Sequence, residues 1–281
     1  MRDEILKLGV IGGTLKHSRS PEIHAAAIAH TKIKAEYLKY EINEDVFEAE
    51  FRKLLMELNG MNVTIPYKET ILNYINKVDK LAKRIGAVNT VKVNRGGLIE
   101  GYNTDYYGFK ESLKDHDLQD KNVTVLGGGG AAKAVLIALE DLGVNRIDVR
   151  VRNVDKVISN LPRVDNCELK VELFNRASDI SGTDILINTT PVGQGRLSAE
   201  MPVTEQQLDC LEEGAIVYDL IYSDTLLLQG ARERKCHTFN GAEMLVLQGA
   251  QSFSIWTGVE LDDALISVMR EAFLTGTLKA S

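Results

Sequence analysis

The feature that most constrains this chain is a run of glycines, Gly127 to Gly130, set between a short apolar strand and a helix. Asn122 to Leu126 reads as the strand, Ala131 to Leu142 as the helix, and Ile147 to Val151 as the next strand. That order is the start of a βαβ unit, and Gly127, Gly129 and Ala132 fit the spacing GxGxxG/A within it. The first glycine permits a tight turn, and the second lets a pyrophosphate approach the backbone. A small third residue lets helix and strand pack closely. The helix start adds unpaired N–H groups and partial positive charge. A bound dinucleotide is expected; the contrary reading is a glycine-rich turn with no ligand.

The end of the second strand selects between the two nicotinamide cofactors. An acid there binds a ribose hydroxyl, whereas arginine accommodates a 2′-phosphate. The residues are Val151-Arg152-Asn153-Val154-Asp155-Lys156, so two cations and a polar donor favour NADP. Asp155 pulls the other way, and both cations could be plain solvated surface.

The rest of the chain alternates strand and helix, which makes it an α/β protein. Strands read at Leu6 to Ile11, Tyr37 to Glu41 and Met61 to Ile65, the last stopped by Pro66. Pro21 opens a helix to about His30, and Asp45 to Glu57 carries Val46, Phe47, Phe51, Leu54, Leu55 and Leu58 on one helical face, with Gly60 ending it. Lys68 to Ile75 reads as a helix, Ile85 to Val93 holds an apolar run turned by Gly96-Gly97, and Asn103-Thr104-Asp105 caps a helix from Tyr106 to Leu113. Later strands read at Ile185 to Asn188 and Ile216 to Leu220, and Ala242 to Leu278 is helical with a break near Gly258. A chain of 281 residues is long for one domain and comfortable for two, and a junction is expected just before the polar stretch Lys114 to Lys121.

A net charge of -7 argues against nucleic acid and against an anionic membrane surface. Cys167, Cys210 and Cys236 are far apart, so no disulfide framework or zinc ribbon is expected and a reducing cytoplasm fits. Met1-Arg2-Asp3-Glu4 lacks the apolar core of a leader peptide, and no stretch is apolar enough to span a bilayer. His17 and His24 lack a third ligand at metal spacing, so no metal is expected.

Two polar stretches in the first third could carry chemistry. In His17-Ser18-Arg19-Ser20-Pro21, Ser20 reads as an N-cap and Pro21 as the first helical residue. Two hydroxyls at the positive end of a helix can bind a carboxylate, although a plain capping motif is the simpler reading. In Asn62-Val-Thr-Ile-Pro-Tyr-Lys68, the lysine is expected to open a helix. The field there favours the neutral amine, which suits a lysine that passes a proton. A nearby carboxylate would hold the ammonium in place, and Asp105 is the candidate; the alternative is an exposed lysine with no role.

Taken together, these motifs resemble the shikimate dehydrogenase family over nearly the whole chain. The segments that carry the resemblance are His17 to Pro21, Asn62 to Lys68, Gly86-Ala-Val-Asn-Thr90, Asn103-Thr-Asp105, Gly127 to Ala132, Asn188-Thr-Thr-Pro-Val-Gly193, Tyr218-Asp-Leu-Ile-Tyr222 and Met244-Leu-Val-Leu-Gln248. Each is weak to moderate alone; in this order they are specific. The resemblance implies an N-terminal α/β substrate domain, residues 1–107, completed by C-terminal helices at 244–281. A Rossmann domain at 108–243 would bind NADP, with the active site in the cleft between. It implies reversible NADPH-linked reduction of 3-dehydroshikimate to shikimate in aromatic amino acid biosynthesis, by a cytoplasmic monomer or homodimer without metal.

Position by position, Lys68 is similar to the family's catalytic lysine, with Asp105 beside it. Ser18 and Ser20 resemble the hydroxyls that take the substrate carboxylate, while Thr64, Asn89, Asp105 and Gln248 resemble the ring that holds its hydroxyls, and Tyr222 lines the substrate site. Gly127, Gly128, Gly129, Gly130 and Ala131 would hold the pyrophosphate. Arg152, Asn153 and Lys156 would hold the adenosine phosphate, and Leu220 and Gly241 would face the nicotinamide end. The chain departs from the family at Tyr102 (usually an acid), Ala25 (asparagine), Gln194 (methionine), Val151 (asparagine) and Glu243 (glycine). The alternatives are a quinate or aminoshikimate dehydrogenase paralogue and a catalytically silent cofactor-binding module.

Overall fold

The structure, a computed structural model, describes residues 5–279. The leading residues 1–4, where no leader core was read, lie outside them. The chain divides into two compact units, Met1–Gly108 with Leu245–Ser281, and Phe109–Met244.

The first unit begins with β1 (Leu6–Gly12), α1 (Ser20–Thr31), β2 (Ala35–Glu41), α2 (Phe47–Glu57) and β3 (Gly60–Val63). It continues through β4 (Lys77–Val78), α3 (Lys80–Ile85), β5 (Thr90–Val93), β6 (Ile99–Tyr102) and the start of α4 (Asp105–Ser112). The strands form one sheet in the order β2-β1-β3-β5-β6-β4. β1 pairs parallel with β2 and β3, whereas β5 pairs antiparallel with both β3 and β6. β1 and β3 are central and largely buried, which is why β1 reads as an apolar run from Leu8 to Ile11 and β3 sets Met61 and Val63 around one buried polar residue, Asn62. On one face Phe47 stacks on Phe51 at 5.3 Å and on Tyr67 at 4.0 Å. Phe51 is fully buried, so truncating it to alanine would cost about 3–5 kcal/mol. Val46, expected on that apolar face, is 44% exposed in the turn that precedes α2. Gly60 does not end α2 but begins β3.

The second unit contains β7 (Asn122–Leu126), α5 (Gly130–Asp141), β8 (Arg146–Val151), α6 (Val154–Ile158) and β9 (Glu168–Leu173). They are followed by β10 (Ile185–Asn188), α7 (Glu205–Leu208), β11 (Ile216–Asp219), α8 (Leu226–Glu233) and β12 (His237–Asn240). All its strands are parallel, in the order β12-β11-β10-β7-β8-β9. Numbered within the unit this is 3-2-1-4-5-6, the doubly wound Rossmann order, and the reversal point lies between β7 and β10.

The chain then returns to the first unit through α9 (Ala242–Thr257) and α10 (Asp263–Lys279). Trp256 of α9 donates its indole N–H to the Val91 carbonyl at 2.8 Å and packs with Leu8, Val10 and Tyr37. α10 lies against α1, where the Arg19 guanidinium sits 5.2 Å over the Phe273 ring. No helix among the described residues is long and apolar enough to cross a membrane.

Candidate active site

Lys68 and Asp105 form an ion pair with Nζ 2.6 Å from Oδ2, and both side chains are nearly buried. Asp105 is the first residue of α4, where unpaired backbone N–H groups favour a carboxylate. The Asn103 side chain caps that helix by accepting the Tyr106 N–H. Lys68 does not open a helix as expected. Its carbonyl accepts the Val88 N–H at 2.8 Å, and the Leu72 N–H, which would close an α-turn on it, goes to the Glu69 carbonyl at 3.2 Å. A turn follows instead, then a short 3₁₀ segment at Thr70–Tyr74. Lys68 therefore does not sit on a helix start of its own; the helix start beside it is that of α4, whose first residue, Asp105, holds the ammonium.

Asn89 supports the pair. Its Nδ2 donates to Asp105 Oδ1 at 2.8 Å, and its Oδ1 accepts the Thr104 N–H at 2.7 Å. A backbone N–H can only donate, so the orientation of the Asn89 carboxamide is fixed. Gln248 of α9 brings its Oε1 to 3.5 Å from Asn89 Nδ2 and 3.4 Å from the Thr104 hydroxyl. Thus Lys68, Asp105, Asn89 and Gln248 converge within the first unit although they are spread over most of the chain. Behind them Thr90, Thr104, Ser252 and Asn62 are buried and bonded to one another. Ser252 was not singled out by the sequence; its only signal is its place one helical turn beyond Gln248.

Ser18 and Ser20 lie at the start of α1, but Ser20 is not its N-cap. The helix begins at Ser20 itself, Arg19 holds the cap position, and no side chain caps it. Starting one residue early turns Ser20 inward, where it is 6% exposed and its hydroxyl meets the Tyr37 phenol. The Ser18 hydroxyl accepts the Ser20 N–H at 3.4 Å. Pro21, expected as the first helical residue, is the second. Thr64 is partly buried just beyond β3, with its methyl where a side chain on Gly12 would have to stand. His24 is fully buried, and among the described residues neither ring nitrogen has a partner in good hydrogen-bond geometry, Asn62 being the polar side chain nearby. Burial pushes its pKa down to about 3, against a smaller opposing pull from the nearby Asn62 carboxamide.

In the second unit, Gly127 has φ of 106°, a conformation that favours glycine, and a Cβ there would meet the Thr189 hydroxyl at 2.5 Å. A Cβ on Gly128 would strike Val157 at 2.4 Å, whereas one on Gly129 would meet nothing within 4 Å. Gly130 and Ala131 open α5, and Ala132 is fully buried beneath the loop. The loop is therefore a cradle that is tight on its protein side and open at Gly129, which fits a pyrophosphate on the α5 N–H groups. Arg152, Asn153 and Lys156 are exposed just past β8; Asn153 caps α6 by accepting the Lys156 N–H. Those two cations and the cradle fit NADP.

Two loops of this unit spring from β10 and β11 and are tied together by Asp219. Its carboxylate, fully buried, accepts from Thr225 Oγ1 at 2.7 Å, Asn188 Nδ2 at 3.0 Å and the Ile221 N–H at 3.1 Å. Burial nevertheless pushes its pKa up to about 6, with those three hydrogen bonds opposing the rise. Leu220 and Tyr222, both partly buried, follow directly. A side chain on Gly241 would sit 1.9 Å from the Leu220 carbonyl oxygen, so only glycine fits there. Glu243 occupies the first turn of α9, where a carboxylate is electrostatically favoured. Among the described residues no group of three or more His, Cys, Asp or Glu gathers to hold a metal.

Residues 10–91 match the shikimate dehydrogenase substrate binding domain, and residues 241–272 match the shikimate 5′-dehydrogenase C-terminal domain. The shikimate dehydrogenase (NADP(+)) of Archaeoglobus fulgidus is 39% identical over 281 residues, covering 96% of this chain and 98% of that protein. Among solved structures, shikimate dehydrogenase 1 from Peptoclostridium difficile aligns with a TM-score of 0.86 at 31% identity, over 97% of this chain and 99% of that one. The Thermus thermophilus shikimate 5-dehydrogenase in complex with NADP(H) and shikimate aligns with a TM-score of 0.81 at 30% identity, over 96% and 99% of the two chains. With this identity along nearly its full length, and with a paired lysine and aspartate in one unit and a glycine cradle in the other, the chain belongs to the shikimate dehydrogenase family.

Proposed function

We infer that the protein catalyses the reversible NADPH-linked reduction of 3-dehydroshikimate to shikimate, with Lys68 as the proton donor. The observation that carries the assignment of Lys68 is its 2.6 Å pairing with Asp105, itself held by Asn89. NADPH, when bound, supplies the hydride that adds to the ketone carbon. Lys68 Nζ gives its proton to the ketone oxygen as that oxygen becomes a hydroxyl, and takes one back in the reverse direction. Asp105 Oδ2 keeps Nζ in position, and Asn89 occupies Oδ1 so that the carboxylate cannot turn away. Ser18 and Ser20 hold the substrate carboxylate; Thr64, Asn89 and Gln248 hold ring hydroxyls, with Tyr222 lining the site. The loop Gly127 to Ala131 takes the pyrophosphate. Arg152, Asn153 and Lys156 take the 2′-phosphate, and Leu220 and Gly241 face the nicotinamide.

We further propose that Phe109–Met244 is the cofactor domain and that the remainder is the substrate domain. Three free cysteines suit a reducing cytoplasm. A monomer or homodimer is proposed, to be read by light scattering. The relatives act, by name, on shikimate, which favours it over quinate or an amino analogue. The intact Lys68–Asp105 pair weighs against a silent binding module.

The test is spectrophotometric: purified protein with shikimate and NADP should form reduced cofactor faster than with quinate or NAD. Lys68→Ala should lower turnover by about 10²-fold or more, the scale of general acid–base catalysis. Full turnover in that variant would remove Lys68 from the mechanism.

A further inference from the structure

The polar chain behind Asp105 continues past Asn89 to a serine on α9. The Ser252 hydroxyl lies 2.8 Å from the Thr90 hydroxyl and 3.0 Å from that of Thr104. It also accepts from Asn62 Nδ2 at 2.9 Å and donates to the Gln248 carbonyl at 2.9 Å. Asn62 in turn accepts from the Tyr37 phenol at 2.7 Å. Ser252 is fully buried.

These distances leave little freedom in where the protons go. Ser252 spends its single proton on the Gln248 carbonyl, so its oxygen accepts from Asn62 and from one of the two threonines. The other threonine is then free to donate to Asn89 Oδ1, which lies 3.0 Å from the Thr90 hydroxyl and 3.1 Å from that of Thr104. Asn89 Oδ1 is thereby saturated from behind, and its Nδ2 is directed at Asp105. The same serine anchors the stretch of α9 that carries Gln248.

We propose that Ser252 is a positioning residue for the proton-transfer pair, holding Asn89 and Gln248 in the orientation that keeps Asp105 and Lys68 in register. This rests on the Lys68–Asp105 reading above. Without the Ser252 oxygen, Asn62 Nδ2 keeps partners at 3.3 Å and 3.4 Å, and the threonine that donated to Ser252 must turn to Asn89 Oδ1, to the other threonine or to Gln248 Oε1, which redistributes the bonds that hold Asn89 and Gln248. Such disorder acts on the step that moves the proton and leaves the cofactor-binding unit untouched.

The experiment compares S252A, S252C and S254A with the wild type and K68A, using shikimate and NADP well below each melting point. Ser254 lies on the same helix and donates to the Val259 carbonyl at 2.7 Å, so S254A loses a hydrogen bond of the same kind outside the chain. S252A should lose roughly five- to tenfold in kcat, a fraction of the ~100-fold that an ångström of misplacement costs. Its KM for NADP should stay unchanged and its solvent isotope effect on kcat should rise. S252C, with a weaker partner of similar size, should fall between, and S254A should keep wild-type turnover. Wild-type kcat and isotope effect in S252A would overturn the proposal. If S252A does not fold, S252C decides: full turnover overturns it, and reduced turnover with an unchanged KM for NADP supports it. A silent wild type, or an active K68A, would instead overturn the reading of the reaction, whatever Ser252 does.

Discussion

His24 is packed between Tyr37, 4.2 Å away ring to ring, and the Trp256 and Phe253 rings, and among the described residues neither nitrogen has a partner in good hydrogen-bond geometry. Such a site admits only the neutral imidazole, and burial holds its pKa near 3. In the unfolded chain the ring titrates near 6.5. Between those values the unfolded state takes up a proton that the folded state refuses. The stability contribution is therefore complete above pH 6.5 and is lost as pH falls toward 3. Between pH 7 and pH 5 the loss is on the order of 2 kcal/mol. His24→Phe, an apolar ring of similar shape, should remove that dependence. The stability of the variant relative to wild type should improve by about that much on going from pH 7 to pH 5, as read from urea unfolding. An unchanged difference at the two pH values would show that His24 does not titrate this way. At this scale the sequence was legible where a residue belongs to a motif, as with Lys68, Asp105 and Asn89, which meet as expected. It was not legible for Ser252, because a serine in a helix interior carries no signature of what lies across from it.

β10 and β11 end side by side, and Asp219 joins the loops that leave them. Its raised pKa gives the opposite sign from His24. Between about pH 4 and pH 6 the folded state keeps a proton that the unfolded state releases. Stability is therefore greatest below pH 4 and declines as pH rises to about 6, after which this contribution is flat. Asp219→Asn resembles the protonated form, and Thr225 can reverse its hydroxyl to meet the new N–H₂. Its stability relative to wild type should therefore be more favourable at pH 7 than at pH 4, by on the order of 2 kcal/mol. Equal differences at both pH values would mean that Asp219 takes up protons alike in the folded and unfolded chain, against the raised value. The elements themselves were readable where they are central. β7, β10 and β11 are buried and show as mostly apolar runs, and β8 shows by alternation, with Ile147, Val149 and Val151 between charged residues. The edge strands β9 and β12 are largely exposed and polar, so no such run marks them. The helix expected from Lys68 to Ile75 failed for another reason. Spacing alone could not show that the Leu72 N–H goes to Glu69 while the Lys68 carbonyl is taken by Val88, a partner twenty residues on.

The two units differ in how the chain supplies them. Phe109–Met244 is continuous and contains a whole six-stranded parallel sheet with its own core, including Leu186, Val217, Leu227 and Leu208. The other unit needs both ends of the chain. A Cβ on Gly60 would lie 2.4 Å from the Trp256 ring, which shows how closely α9 is set into the β3 strand. Gly249 is equally close to α1, where a Cβ would come within 2.7 Å of Ile23. Removing residues 245–281 would therefore open apolar surface along β1, β3 and α1 and strand Asn62, Thr90 and Thr104 without Ser252. Apolar surface left open costs about 25 cal/mol per Å², and a few hundred Å² is already a large share of a marginal total of about 5–15 kcal/mol. A fragment of residues 109–244 should accordingly melt cooperatively on its own. A fragment of residues 1–108 should not, and joining it to residues 245–281 through a short flexible linker should restore a cooperative transition by circular dichroism. Cooperative melting of 1–108 alone would mean that α9 and α10 only cover the substrate-binding sheet. Its failure, with recovery in the linked form, would mean that the residues around Lys68 acquire their geometry only when the last helices close over them.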